Sequence, residues 1–90
     1  MWTIHLSKKT EKYLDRLTPK DRERIVQFLY QRVCFHENPY DLGEPLTGTL
    51  TGYIRFRCED YRIISKIEHN SLIVSVVKVG HRRDVYQTVH

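Results

Sequence analysis

The sequence is poor in the features that would place it in a membrane, outside the cell or around a metal. Its two cysteines, Cys34 and Cys58, match no zinc-binding spacing, so we expect two buried free thiols. No apolar run approaches the length of a transmembrane helix, and the first residues lack the apolar stretch of a secretion signal. These absences predict a cytoplasmic protein with no membrane partner.

Length and composition indicate one small globular domain over residues 1–90. Hydrophobic residues make up 40% of the sequence and charged residues 29%, which is ordinary globular composition. The formal net charge is +4, and the excess lies after residue 52, where seven Lys and Arg accompany four Asp and Glu. Such an excess often serves solubility alone, but it also suits an anionic partner.

The first half of the chain has the pattern of a strand followed by a helical hairpin. Residues 2–6 alternate apolar and polar side chains, as a short strand does. Ser7 can cap a helix that runs to about Leu17, and Thr18, followed by proline, can cap a second helix. Residues 38–52 contain two of the three prolines and three of the four glycines, which predicts a surface loop.

From residue 53 the apolar period changes to two, which predicts three antiparallel strands. These strands span residues 53–58, 61–68 and 72–79, with short polar turns between them. We therefore predict an α+β fold with an N-terminal strand, a helical hairpin and then a three-strand antiparallel meander. The helical hairpin is expected to cover the apolar face of the meander.

The polar face of the first two meander strands is predicted to gather several cations near the turn between them. A two-residue turn at residues 59–60 would place Arg57 opposite Arg62 and Tyr53 opposite Lys66. The members of this face, which we call the basic face, are Tyr53, Arg55, Arg57, Arg62 and Lys66. A solvated surface is the alternative, but arginines beside an aromatic ring suit RNA, because guanidinium pairs with phosphate and bases stack on rings.

The stretch "VGHRRDVY", residues 79–86, places a polar cluster directly after the last apolar strand. We expect that strand to end at Val79, with Val77 opposite Arg62, and Gly80 to turn the chain. The side chains brought to that end of the basic face would be His81, Arg82 and Tyr86.

In order and spacing, two segments resemble the RelE branch of the RelE/ParE superfamily, from bacterial and archaeal toxin–antitoxin systems. The segments are "EPLTGTLTGYIRFRCEDYRIISKI", residues 44–67, and "VVKVGHRRDVY", residues 76–86. The resemblance implies an α+β toxin that cuts mRNA in the ribosomal A site. The ribose 2′-hydroxyl attacks the adjacent phosphate, without metal or other cofactor. An acidic RelB-like antitoxin, the ribosome and mRNA are the implied partners.

Carried over by position, the resemblance assigns roles to the polar residues. Arg62 and Arg82 would hold the scissile phosphate, and Tyr86 would stack on a base or orient the attacking hydroxyl. The residues expected to contact the RNA are Tyr53, Arg55, Arg57 and Lys66.

The proton acceptor is where the sequence departs from the family pattern. Some relatives use a first-strand lysine, but Arg55 stands there, and arginine does not deprotonate in proteins. His81 is therefore the expected acid–base group, since histidine titrates near neutral pH, with a solvated turn histidine as the alternative. His90 could assist if the tail folds back.

Two other functions stay open at this point. The ParE branch shares the fold but poisons gyrase without nuclease chemistry, and a toxin that has lost its activity could still bind its antitoxin. The joint presence of Arg62, Arg82 and Tyr86 favours the nuclease.

Overall fold

A computed structural model describes residues 1–84, which form a five-stranded sheet with two α-helices. The strands are β1 (Thr3–Leu6), β2 (Gly43–Pro45), β3 (Ile54–Cys58), β4 (Tyr61–Glu68) and β5 (Ile73–His81), and the helices are α1 (Lys8–Asp15) and α2 (Pro19–Gln27). The order across the sheet is β1-β5-β4-β3-β2. Within residues 1–84, β1 pairs in parallel with β5, and the other three pairings are antiparallel. The predicted α+β class is confirmed.

The two helices begin where the capping residues predict. The Ser7 hydroxyl accepts a hydrogen bond from the Thr10 N–H at the start of α1. The Thr18 hydroxyl accepts one from the Asp21 N–H, and proline occupies the first position of α2. A π-helical segment, Phe28–Val33, continues directly from α2.

The helices pack on one face of the sheet and form a single apolar core with it. Leu14 comes from α1, while Ile25 comes from α2 and Leu29 from the segment that follows it. Their main partners on the sheet are Ile54, Phe56, Ile63, Ile67, Val74, Val76 and Val79, all buried. Cys34 and Cys58 are free and buried, as predicted. Within residues 1–84, no helix is both long enough and apolar enough to span a membrane.

The segment 38–52 was predicted to be a loop, and that prediction is wrong in one respect. It contains β2, which pairs with β3 and makes the second edge of the sheet. Two 3-10 turns, Pro39–Leu42 and Gly48–Leu50, flank this strand. A strand of three residues is too short to show an apolar period, and here its composition is that of a turn.

Gly43 fits β2 against β3 because it has no side chain. Its backbone is extended, with φ −139°, so the requirement is one of space and not of backbone angle. A Cβ at this position would lie 2.7 Å from the Arg55 carbonyl oxygen and 2.8 Å from Cγ1 of Ile54. Any larger residue must push β2 away from the sheet.

We expect Gly43→Ala to lower the free energy of unfolding by about 1–3 kcal/mol, since overpacking of this kind forces a backbone shift. Denaturant unfolding measures the change. Thr49→Ala, at an exposed position of the same segment, is the control and should change stability by less than about 0.5 kcal/mol. Equal stability of the two variants would contradict the close contact.

The β4–β5 register differs from the prediction, and the difference moves several side chains. Arg62 lies opposite Gly80 and not opposite Val77, and β5 continues to His81. Of this three-residue difference, two residues arise because the turn after Glu68 is longer than expected, so that Glu68 pairs with Ile73. The third arises from a bulge: Ile64 pairs with Lys78 but Ser65 pairs with Val76, which leaves Val77 without a partner. A one-residue shift exchanges the two faces of a strand. Beyond the bulge, residues 78–81 of β5 therefore lie on the faces opposite to those expected.

Candidate functional site

The β3–β4 hairpin forms the basic face largely as the two-residue turn predicts. Arg57 lies opposite Arg62, Arg55 lies opposite Ile64, and the exposed Lys66 follows on the same side of β4. Tyr53 is half-buried and precedes β3, so it does not pair with Lys66.

A carboxylate that sequence reasoning missed lies among these arginines. Glu44 pairs with Arg55 in the β2–β3 ladder. One of its oxygens, Oε2, accepts a hydrogen bond from Nη2 of Arg55 at 2.7 Å, and Oε1 lies 3.4 Å from Nη2 of Arg57. The side chain of Arg55 is 19% exposed and that of Arg57 is 59% exposed. Arg55 is therefore held by Glu44 against the sheet, whereas Arg57 faces solvent. The sequence could have placed Glu44 beside Arg55 only if residues 43–45 had been recognised as a strand.

Arg62 and Arg82 lie at the end of the sheet formed by the β3–β4 turn. Nη1 of Arg62 donates to the carbonyl oxygens of Glu59, at 2.8 Å, and Tyr61, at 2.9 Å. The Arg82 N–H donates to the Asp60 carbonyl at 2.7 Å, and Nε of Arg82 lies 3.8 Å from Oδ1 of Asp60. The side chains of Arg82 and Asp60 are more than half exposed, so the guanidinium remains accessible to an anion.

His81 does not reach the basic face, contrary to the prediction. It lies opposite Tyr61, and the two rings meet edge to face with their centroids 5.8 Å apart. The Tyr61 hydroxyl in turn donates to Oδ2 of Asp21 on α2, at 2.9 Å. The register shift is the reason, because it turns His81 toward the helices. Tyr86 and His90 lie outside the described residues, and their predicted roles stay predictions.

Burial and the contact with Asp21 together make Tyr61 harder to deprotonate than an ordinary tyrosine. Burial, followed by this hydrogen bond, raises the pKa of Tyr61 to about 12. Because the folded value exceeds the unfolded one, the stability that the protonated phenol contributes is complete below about pH 10 and is lost as the pH rises toward 12.

An ultraviolet titration of phenolate should therefore show one of the six tyrosines ionising late, at about pH 12. The late component should be missing in Tyr61→Phe. If the curves of the wild type and Tyr61→Phe differ only by one phenol that ionises at the ordinary pH of about 10, the Tyr61–Asp21 contact is contradicted.

Comparison with known proteins agrees with this fold. A family model described as the ParE toxin of the type II toxin–antitoxin system parDE matches residues 4–86. Toxin RelG of Mycobacterium tuberculosis is 26% identical over 86 residues, which cover 96% of this chain and 97% of that protein. Toxin RelE of the same organism is 30% identical over 74 residues, 82% of this chain and 74% of its own length.

Solved structures show the same architecture. The crystal structure of the RelBE2 toxin–antitoxin complex from M. tuberculosis superimposes with a TM-score of 0.82 at 25% identity, covering 92% of this chain and 93% of that one. The intact RelBE complex of E. coli gives a TM-score of 0.70 at 14% identity, over 90% of this chain and 96% of that one, and so supports the fold alone. The chain belongs to the RelE/ParE superfamily. Within that superfamily, it is a toxin of a type II toxin–antitoxin system.

Proposed function

We propose that this toxin is a ribosome-dependent endoribonuclease that cleaves mRNA in the ribosomal A site and so inhibits translation. The observation that carries the proposal is the arginine cluster of the basic face, with a carboxylate inside it. Arg55, Arg57 and Arg62 share this face, Arg82 lies at its end, and Glu44 contacts the first two. Guanidinium groups bind phosphate in a bidentate manner, and RNA supplies a row of phosphates.

The chemistry requires one proton acceptor and a cluster of cations. The ribose 2′-oxygen forms a bond to phosphorus and gives its proton to a base, the bond from phosphorus to the 5′-oxygen breaks, and that oxygen takes up a proton from solvent. Arg62 and Arg82 stabilise the charge that develops on the phosphate oxygens. Glu44 is the acceptor that we favour over His81, because it lies on the basic face whereas His81 faces the helices. An incoming phosphate competes for Arg55 and Arg57 and frees the carboxylate for the 2′-hydroxyl.

The partner that restrains this activity is an acidic antitoxin. Two observations support it: the net charge of +4, and the similarity of this chain to the toxin–antitoxin complex RelBE2. The acidic product of an adjacent reading frame should co-elute with the toxin in gel filtration at high salt. Elution of the toxin alone would argue against this partner.

The gyrase-poisoning function is the second candidate, because the matching family model is that of a ParE toxin. Expression of the toxin alone, followed by pulse labelling, separates the two. We expect methionine incorporation to stop within minutes while thymidine incorporation continues. The reverse order would replace the nuclease with the gyrase poison.

A further inference from the structure

Four large apolar side chains lie exposed at the end of the sheet opposite the β3–β4 turn. They belong to Met1, Phe35, Tyr40 and Leu72, and their exposed fractions run from 38% for Tyr40 to 82% for Met1. Within residues 1–84, the only other large apolar side chain with comparable exposure is that of Tyr30. We call the group of four the apolar end. A contiguous patch of this kind is typical of a surface that binds another protein.

The apolar end is built around the buried Trp2, where three segments of the chain meet. The Trp2 N–H donates to the Cys34 carbonyl oxygen at 2.8 Å, and the N–H of the next residue donates to the Leu72 carbonyl oxygen at 2.8 Å. The rings of Trp2 and His69 meet edge to face with centroids 5.6 Å apart, and His69 stacks on Tyr40 at 5.1 Å. Contacts within the domain therefore hold the patch in place.

Leu72 conflicts with two local preferences at the same position. Its φ is 52°, in the left-handed region that glycine and asparagine adopt far more readily than leucine. Its side chain is 49% exposed, although burial is what favours an apolar side chain. Conflicts of this kind between residue and local structure are typical of functional positions. The side chain of Leu72 is therefore expected to contact another molecule.

The charge of this end does not match the anionic partners that suit the basic face. The three segments, residues 1–3, 34–40 and 68–72, contain no Lys or Arg, although the whole sequence has 15. RNA and acidic polypeptides are attracted by such cations. The segments contribute two carboxylates and two imidazoles, those of Glu37, Glu68, His36 and His69. Aromatic residues and methionine without lysine are the composition of an interface between protein chains.

Residues 85–90 are too short to cover the apolar end. They follow Asp84, whose N–H donates to the His81 carbonyl oxygen at the other end of β5 from Leu72. Even a fully extended chain of this length spans at most about 22 Å. The strand β5, Ile73–His81, is itself about 26 Å long.

We propose that the apolar end binds a second copy of this chain in a two-fold symmetric dimer. Two-fold symmetry brings the same patch of each copy together, so that Phe35 and Leu72 of one copy pack on those of the other. The patch is self-complementary, because the carboxylates at its rim can meet the imidazoles of the other copy. Since the segments lack Lys and Arg, this is a surface where two chains of net charge +4 can approach with little repulsion.

The dimer goes beyond the proposed nuclease function and does not depend on it. The apolar end lies at the opposite end of β4 from Arg62, about 25 Å away along the strand. The two basic faces therefore lie toward the outer ends of the dimer and remain accessible to RNA.

Sedimentation equilibrium of the purified toxin alone, over a wide range of concentrations, measures this association. We expect the wild type to pass from monomer to dimer as its concentration rises. Phe35→Ser should raise the dissociation constant at least about tenfold, since buried aromatic side chains dominate the binding energy of an interface. Tyr30→Ser removes an exposed aromatic ring outside the three segments and should change the constant by less than about threefold.

Leu72→Asn separates a role in the dimer from a role in the fold. Because asparagine adopts the left-handed φ readily, the variant should be at least as stable as wild type at concentrations where both are monomers. Its dimer dissociation constant should nevertheless rise at least about tenfold. A leucine that serves only packing within the domain would give the reverse, lower stability with unchanged association. Denaturant unfolding measures the stability of all variants.

Each other outcome overturns the proposal. If the toxin stays monomeric at the highest concentration tested, the apolar end does not bind a second copy. If dimers form but Phe35→Ser and Leu72→Asn associate like wild type, the dimer uses another surface. If the toxin is monomeric and folded Phe35→Ser no longer arrests growth, the apolar end binds a different protein. The rate of mRNA cleavage is measured separately, so each of these results is distinguishable from a failure of the proposed function.

Discussion

Replacement of Arg82 by alanine should reduce mRNA cleavage on ribosomes by a factor of about a hundred to a thousand. A guanidinium that donates two hydrogen bonds to the transition-state phosphate is worth roughly 3–4 kcal/mol, and lysine cannot reproduce its geometry. Arg82 is placed for this task by its backbone bond to Asp60, at the end of the sheet that also holds Arg62. Primer extension on a translated message measures the loss.

Arg83→Ala is the matched control for Arg82→Ala. Arg83 is exposed, and its N–H donates to Nδ1 of His81, on the other side of the strand end. We expect cleavage within about threefold of wild type, with little change in stability for either variant, since exposed ion pairs contribute about 0–1 kcal/mol. Cleavage by Arg82→Ala at the wild-type rate would show that the phosphate binds elsewhere.

Replacement of Glu44 by glutamine should lower the cleavage rate by a factor of about 10²–10⁴, which is the usual contribution of a general base. The single carbonyl oxygen of glutamine can still accept the hydrogen bond from Arg55, but glutamine cannot take the proton. The free energy of unfolding should therefore stay within about 1 kcal/mol of wild type. A large loss of cleavage rate with little change in the free energy of unfolding is the result expected for a general base.

Glu68→Gln and His81→Gln complete the comparison with Glu44→Gln. Glu68 lies on the same side of β4 as Arg62, but its carboxylate contacts Ser75, at 3.4 Å, instead of the arginines. Its replacement should leave cleavage within about threefold of wild type. His81→Gln should behave likewise, because His81 faces the helices. Loss of activity in His81→Gln, with Glu44→Gln active, would restore His81 as the acid–base group and contradict the role of Glu44.

The elements with strong local signals could be predicted from the sequence. Ser7 and Thr18 cap the two helices as expected, because the cap is a contact between residues three apart. The two residues between β3 and β4 fix their register, and with it the opposition of Arg57 and Arg62. Glu59 adopts the left-handed φ of 55° in this turn.

The parts that could not be predicted depend on contacts between distant segments. β2 is a strand only because it pairs with β3, and this pairing alone brings Glu44 to Arg55. The bulge at Val77 could not be recognised in the sequence, because Val76 and Val77 are both apolar and fit either register. It reverses the expected side of His81 while leaving Arg82 at the predicted end of the sheet. The opposition of the arginines on the basic face could therefore be predicted from the sequence, whereas the carboxylate among them could not.

Cleavage in a reconstituted translation reaction that contains purified toxin and one defined message tests the proposed ribosome-dependent activity most directly. We predict cuts within codons at the A site, 2′,3′-cyclic phosphate at the new 3′ ends and a hydroxyl at the new 5′ ends. The same message without ribosomes should stay intact, or be cut at least about a hundredfold more slowly. An intact message on translating ribosomes, together with inhibition of DNA supercoiling by gyrase in a parallel reaction, would contradict the central claim.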